Sequence, residues 1–93
     1  MLDVTITKEG FKMKGHCGYA ERGKDIVCAS VSALYLTFLC TTNAIEKAGA
    51  DERIACLTTQ DRAGIIIHDA VAEGIKAIAK QYPEHVKVTT LPL

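Results

Sequence analysis

The first residues of the chain alternate apolar and polar side chains with a period of two. The pattern covers residues 2–6 and resumes over residues 11–14, after a short connection at residues 8–10. A period of two is typical of strands that have one buried face. The pattern therefore predicts a β-hairpin that ends near Gly15 and His16.

A loop and a long apolar helix are predicted next. Residues 17–24 contain two glycines and show no periodicity, which indicates a loop. From Val27 to Ile45 the apolar residues recur at helical spacing. Asp25 is placed to cap this helix at its start, and Gly49 is a natural stop.

The second half of the chain predicts two strands, a helix and a last strand. Runs rich in β-forming residues at 54–58 and 65–67 predict the third and fourth strands. We expect Asp69 to begin the second helix and Pro83 to end it. Residues 86–91 then supply the last strand.

The elements follow one another in the order ββαββαβ. This order predicts an α+β fold, a single small domain over residues 1–93, with two helices packed on one mixed, largely antiparallel sheet. A chain of this length buries only a modest core, so the extra burial of a homodimer would be valuable. We therefore expect a homodimer.

Charge and composition exclude several classes of partner. Lys and Arg together number 11, as do Asp and Glu, and the net charge is zero. Neither a basic stripe nor a set of aromatic platforms is present, so we expect no direct nucleic-acid binding. The N-terminus lacks a secretory signal, and the four cysteines include no C-x-x-C pair, which favours a reducing cytoplasm.

The uncharged run over residues 26–45 is long enough to span a membrane as a helix. Its Ser, Thr and Asn residues make it only moderately apolar, and the flanking segments have the pattern of a soluble sheet. We expect instead a helix that is covered by the sheet on one face and by a partner subunit on another, with no membrane contact.

A cysteine at the predicted start of this helix is the best candidate for chemistry. If Asp25 is the N-cap, the N–H groups of residues 26–28 lack helical partners, and the positive helix end favours the thiolate of Cys28. Those N–H groups are also predicted to stabilise an oxyanion. His16 is the nearest titratable partner in sequence, and Ser32 lies one turn beyond the thiol. A cysteine in an apolar helix is also commonly only a buried hydrophobe, so both interpretations stay open.

The remaining cysteines and histidines are less suited to a site. We expect Cys40 and Cys56 to lie in the core. Cys17 is predicted to point to the opposite face and to be incidental. His68 and His85 are expected on the surface. The ligand spacing needed for a zinc site is absent, so we expect no metal.

The stretch GHCGYAERGKDIVCASVS resembles the signature of the bacterial ribosomal-processing cysteine protease family. That family carries His-x-Gly, a flexible loop, Gly-x-Asp-Ile-Val-Cys and then Val-Ser. These positions fall here on His16, Gly18, Gly23, Asp25, Ile26, Val27, Cys28, Val31 and Ser32. Two positions differ from the usual pattern: Cys17 occupies the variable position, and Ser30 stands where alanine is common.

The resemblance implies a cytoplasmic endopeptidase that removes an N-terminal extension from a large-subunit ribosomal protein. The resemblance also implies a homodimer that contains neither a metal nor an organic cofactor. The resemblance makes Cys28 the nucleophile and His16 the base, with Asp25 and Ser32 in support. It also implies a substrate-binding loop made of Gly18, Tyr19, Ala20, Glu21, Arg22, Gly23 and Lys24.

Two other functions stay open at this point. A dimeric, ribosome-associated adaptor could bind the same peptide without cutting it. A thiol redox or acyl-transfer protein would use Cys28 differently, either in a disulfide with Cys17 or as a stable acyl adduct.

Overall fold

The computed structural model describes residues 1–21 and 23–91. Arg22, which belongs to the predicted substrate-binding loop, therefore lies outside the described residues. The elements along the chain are β1 (Leu2–Ile6), β2 (Gly10–Gly15), α1 (Ile26–Thr41), β3 (Ala44–Ala48), β4 (Glu52–Leu57), α2 (Arg62–Gln81) and β5 (Val86–Thr90).

The strands form one sheet in the spatial order β3-β4-β2-β1-β5. The pairs β1–β2, β2–β4 and β3–β4 are antiparallel, and β1–β5 is parallel. The predicted fold class and the order ββαββαβ are thus confirmed. The predicted strand at residues 54–58 corresponds to β4, whereas β3 was not predicted.

The first helix ends at Thr41, and the prediction that it continues toward Gly49 is wrong. Ile45, which fits the helical spacing, lies in β3, where it is opposite Cys56 of β4. Asn43 separates the two elements: its side-chain oxygen accepts a hydrogen bond from the Thr58 N–H at 3.0 Å. A local bond lies beside it, since the Thr42 hydroxyl oxygen accepts the N–H of Ala44 at 3.2 Å, and such a side-chain bond to nearby backbone competes with continuation of the helix.

The predicted strand at residues 65–67 is also wrong, because these three isoleucines belong to the first turns of α2. The cap of this helix is Asp61, whose carboxylate accepts the Gly64 N–H at 2.8 Å. Asp69, predicted as the start, lies inside the helix. A run of β-branched residues favours a strand locally, but the cap and the packing of the helix determine the outcome here.

The core lies between one face of the sheet and the two helices. Alternate residues of β1 and β2 are buried, and they face Val31, Tyr35 and Phe38 of α1. Phe11 contacts Phe38 edge to face, with ring centroids 4.9 Å apart. The ring of His68 stacks on Phe11 and is buried, so the expectation that His68 lies on the surface is wrong.

Gly10 lies where β2 approaches β4 most closely. A Cβ atom at this position would lie 1.8 Å from the carbonyl oxygen of Ala55 in the neighbouring strand. Only glycine therefore fits here without displacing backbone.

A polar cluster joins α1 to the hairpin formed by β3 and β4. The Tyr35 hydroxyl and the Arg53 Nε–H both donate to Oε2 of Glu46, each at 2.8 Å. The Arg53 guanidinium also lies 4.8 Å above the Tyr35 ring. The hydrogen bond from Arg53, followed by that from Tyr35, lowers the pKa of Glu46 although burial acts in the other direction. Burial, assisted by Glu46, raises the pKa of Tyr35.

The outer face of α1 remains uncovered and apolar. Ile26 is 60% exposed and Leu36 is 41% exposed, and Cys40 is exposed as well. The prediction that Cys40 is a core residue is therefore wrong, while Cys56 is half-buried. Among the described residues, the helices lack the combination of length and apolar character needed to cross a membrane.

Candidate active site

A cleft of about 770 Å³ lies at the N-terminus of α1. Four parts of the chain form it: the end of β2, the following loop, the first turns of α1 and the β3–β4 turn. The lining residues are His16, Gly18, Ala20, Gly23, Lys24, Asp25, Ile26, Cys28, Ala29, Ser32 and Ala50. The cleft thus brings together the predicted pair His16 and Cys28 with the predicted supporting residues Asp25 and Ser32.

Cys28 lies in the first turn of α1 and is partly buried. The predicted N-cap is confirmed, since Oδ1 of Asp25 accepts the Cys28 N–H at 2.8 Å. This same bond corrects the expectation that the amides of residues 26–28 are all free for an oxyanion. The Cys28 N–H is engaged by Asp25 in this structure.

The carboxylate of Asp25 also fastens the loop. Its second oxygen, Oδ2, accepts the N–H of Tyr19 at 3.1 Å. Burial opposes ionisation of Asp25, but hydrogen bonds from backbone N–H groups outweigh it and lower the pKa of Asp25. The backbone donors are those of Cys28, Tyr19, Ala20 and Val27.

Replacing Asp25 by alanine is expected to lower the free energy of unfolding by about 1 kcal/mol at neutral pH, because the helix loses its cap. The folded-state pKa of Asp25 is lowered, so this contribution is complete above the ordinary aspartate pKa and is lost as pH falls through the lowered value. Urea unfolding at neutral and acidic pH should show the variant and the parent protein converging in acid.

Asp61→Ala is the matched control, since Asp61 caps α2 with one bond and makes no hydrogen bond to the described residues of the loop at 17–24. Both replacements should lower stability by a similar amount, whereas only Asp25→Ala should disturb the cleft. Equal effects of the two replacements on the alkylation rate of the Cys28 thiol would contradict this role of Asp25.

His16 follows the last residue of β2, and its side chain is 83% exposed. Gly15 before it has φ +89°, a conformation that favours glycine and that turns the chain at the edge of the cleft. The imidazole Nε2 lies 3.3 Å from Oδ1 of Asp51. Among the described residues, no hydrogen bond joins His16 to Cys28.

Asp51 is a site residue that the sequence analysis missed. Antiparallel pairing of β2 with β4 places Lys14 opposite Glu52. Gly15, which follows Lys14, therefore lies beside Asp51, which precedes Glu52. The N–H of Gly15 donates to the carbonyl oxygen of Asp51 at 3.1 Å. Because the first helix was predicted to continue toward Gly49, the β3–β4 hairpin was not predicted. The pairing of that hairpin with β2 is the signal that could have located Asp51.

The loop after His16 forms one side of the cleft and is anchored outside it by Tyr19. The Tyr19 ring packs edge to face against Tyr82 and His85, with centroids 5.5 and 5.4 Å away. Gly18, Ala20, Gly23 and Lys24 line the cleft. The loop residue Glu21 instead forms an ion pair with Lys24, in which the nitrogen and oxygen are 3.1 Å apart.

Cys17 belongs to the core, and its predicted orientation, opposite to that of His16, is confirmed, since the Cys17 side chain is buried and that of His16 is 83% exposed. Burial, followed by the charge and hydrogen bonding of Cys28, raises the pKa of Cys17 to about 12. The Cys17 thiol therefore stays protonated and is a poor nucleophile. Its carbonyl oxygen accepts a hydrogen bond from Nδ1 of the half-buried His85 at 3.0 Å.

Comparisons with known proteins relate this chain to one family. The model of the family described as cysteine protease Prp matches residues 1–87. A ribosomal processing cysteine protease Prp from Mycoplasma genitalium is 26% identical over 93 residues, with coverage of 95% of this chain and 94% of that protein.

Solved structures show the same fold. The crystal structure of an essential ribosomal processing protease Prp from S. aureus, in complex with a covalently linked product peptide, matches with a TM-score of 0.82 at 23% identity. The match covers 98% of this chain and 100% of that one. The crystal structure of SMU.848 from Streptococcus mutans matches with a TM-score of 0.78 at 23% identity, over 98% and 94% of the two chains.

Proposed function

This chain belongs to the cysteine protease Prp family, whose model matches residues 1–87, and we propose that Cys28 and His16 carry out its peptide cleavage. The observation that carries the proposal is that both side chains line one cleft at the start of α1. Of the two thiols near His16 in the chain, Cys17 is buried in the core, whereas Cys28 is accessible from this cleft.

In the proposed reaction, His16 takes the thiol proton and the Cys28 sulfur attacks the carbonyl carbon of the scissile peptide bond. The resulting tetrahedral intermediate breaks its C–N bond, and the proton held by His16 passes to the leaving amine. Water then attacks the thioester, which releases the new carboxylate and restores the thiol. We assign Asp25 the task of fixing the first turn of α1, and Ser32 a supporting position beside the sulfur.

The substrate that we propose is the N-terminal extension of a large-subunit ribosomal protein precursor. The relatives support this choice, because the proteins from M. genitalium and S. aureus are named as ribosomal processing proteases. Small side chains at Gly18, Ala29 and Ala50 leave room in the cleft for a peptide in extended form. Ribosomal precursors are present in the cytoplasm, where we expect the enzyme to act.

The proposal is tested by incubating the purified protein with the extended precursor and measuring the product masses. Cleavage should give two products whose masses add up to that of the precursor plus one water. A precursor from which the extension has already been removed serves as the control and should stay intact. Binding of the extended precursor without cleavage would overturn the proposal and favour the adaptor function. A lasting acyl adduct on Cys28 would instead favour acyl transfer.

We also propose that the enzyme is a homodimer formed through the outer face of α1. All 16 residues of this helix are uncharged, and Ile26 and Leu36 are exposed on the side away from the sheet. An exposed apolar face of this kind is typical of a surface that a partner covers. A second copy fits this face because two uncharged surfaces can pack without burying unpaired charges.

Ala33→Glu should disrupt this dimer, because it places a charge in the middle of the exposed face of α1. We expect light scattering to show the monomer mass at micromolar concentration, where the parent protein has the dimer mass. Thr89→Glu, at an exposed position of β5, is the control and should remain dimeric. A monomeric parent protein, or dimeric Ala33→Glu, would contradict this interface.

A further inference from the structure

A charged contact connects the turn of the β3–β4 hairpin to the predicted base. Oδ1 of Asp51 lies 3.3 Å from Nε2 of His16. The backbone supports the contact, since the carbonyl oxygen of the same aspartate accepts the N–H of Gly15 at 3.1 Å. Asp51 therefore touches the Gly15–His16 segment with its main chain and with its carboxylate.

The contact determines which imidazole nitrogen is available for the chemistry. An ionised carboxylate can only accept hydrogen bonds, so the Asp51 carboxylate 3.3 Å away favours the proton on Nε2 of His16. In neutral imidazole the other nitrogen, Nδ1, then has a free lone pair. That nitrogen is the one that can accept a proton from a thiol.

We propose that Asp51 is a positioning residue that holds the His16 ring so that Nδ1 exchanges protons with Cys28. The inference rests on the proposed function of His16 and Cys28. When Nδ1 takes the thiol proton, His16 becomes an imidazolium, and the carboxylate of Asp51 stabilises the new positive charge. The proton on Nδ1 later passes to the leaving amine, while the Nε2 proton stays shared with Asp51.

Stability is not the main role of this contact. The side chain of Asp51 is 57% exposed, and an ion pair between two exposed groups adds little to the free energy of folding. Positioning a reacting group, in contrast, has a large effect on rate even at an exposed site. Removal of the carboxylate should therefore change the kinetics and leave the thermal midpoint unchanged.

The test compares Asp51→Ala, Asp51→Asn and the control Glu52→Ala on the extended precursor. Asp51→Ala should lower kcat about tenfold with KM within about twofold, because binding of the peptide is unchanged but the ring is free to turn. Asp51→Asn should recover part of the rate, since its amide oxygen still accepts from Nε2. Glu52 pairs with Lys12 at 3.6 Å, so its removal should leave kcat unchanged.

A second measurement separates this inference from the proposed function. Alkylation of Cys28 by iodoacetamide needs the thiolate but no substrate, so Asp51→Ala should slow it and Glu52→Ala should not. Normal kcat and normal alkylation in Asp51→Ala would overturn the role of Asp51 alone. An alkylation rate that is also unchanged in His16→Ala, together with an uncut precursor in the parent protein, would instead overturn the Cys28–His16 mechanism.

Discussion

Cys28→Ala is expected to lower the rate of precursor cleavage by at least about 10⁴-fold, because Cys28 carries the only thiol among the described residues that line the cleft. The replacement removes only a sulfur atom from a partly buried position, so the variant should fold and still bind the precursor. The measurement is the mass of products formed at a fixed enzyme concentration, combined with precursor affinity. His16→Ala should lower the rate by about 10²- to 10⁴-fold through loss of proton transfer.

Cys40→Ala is the matched control, since Cys40 is exposed on α1 and does not line the cleft. It should cleave at the parent rate. Cleavage that survives in Cys28→Ala, or that is lost equally in Cys40→Ala, would contradict the assignment of the nucleophile. Iodoacetamide at mildly acidic pH offers a further check on the monomeric Ala33→Glu variant, in which the face that carries Cys40 is uncovered, and should label Cys28 before Cys40.

Gly10→Ala should have the largest effect on stability, with a loss of about 3 kcal/mol in the free energy of unfolding. The added Cβ would lie 1.8 Å from the Ala55 carbonyl oxygen, so the backbones of β2 and β4 must move apart. For a domain of this size we expect a fall in Tm of roughly 10–20 °C, measured by circular dichroism.

Gly49→Ala makes the same chemical change where space is available. A Cβ at Gly49 would have the carbonyl oxygen of Glu52 as its nearest neighbour, at 3.8 Å, which is an ordinary contact. Its Tm should stay within about 3 °C of the parent value, since replacements at exposed positions away from special features cost little. A similar fall in both variants would show that loss of glycine itself, rather than the close strand approach, determines the effect.

The sequence patterns predicted the first hairpin, the strand at 54–58 and the existence of both helices, but they misplaced the end of α1 and the start of α2 and missed β3. Alternation identified β1 and β2 directly, because one face of each strand is buried. Ile45 was assigned to a helix and the isoleucines at 65–67 to a strand, and both assignments were wrong. A single apolar residue or a short β-branched run is compatible with the period of a helix and with that of a strand. The contact from Asn43 to Thr58 joins residues 15 apart and depends on the three-dimensional arrangement, whereas the cap from Asp61 to Gly64 is local, and its signal in the sequence competed with that of the β-branched run.

The candidate site was predictable as far as its residues lie close together in the sequence. His16, Asp25 and Cys28 fall within one short stretch, and the cap at Asp25 has a local signal. Asp51 could not be found in this way, because only the pairing of β2 with β4 brings it to His16. The buried position of Cys17, in contrast, continues the alternation of β2, in which Phe11 and Met13 also face the core.

The cluster of Tyr35, Glu46 and Arg53 has a consequence for how peptide selection can change among related proteins. It fastens the hairpin that carries Asp51 to the helix that carries Cys28. The opposite wall, made by the loop, is held by other contacts, chiefly those of Tyr19. Substitutions of the loop side chains that line the cleft, such as Ala20 and Lys24, can therefore alter which peptides fit while the backbone bond from Tyr19 to Asp25 keeps the start of α1 in place, so that specificity and chemistry are free to evolve separately.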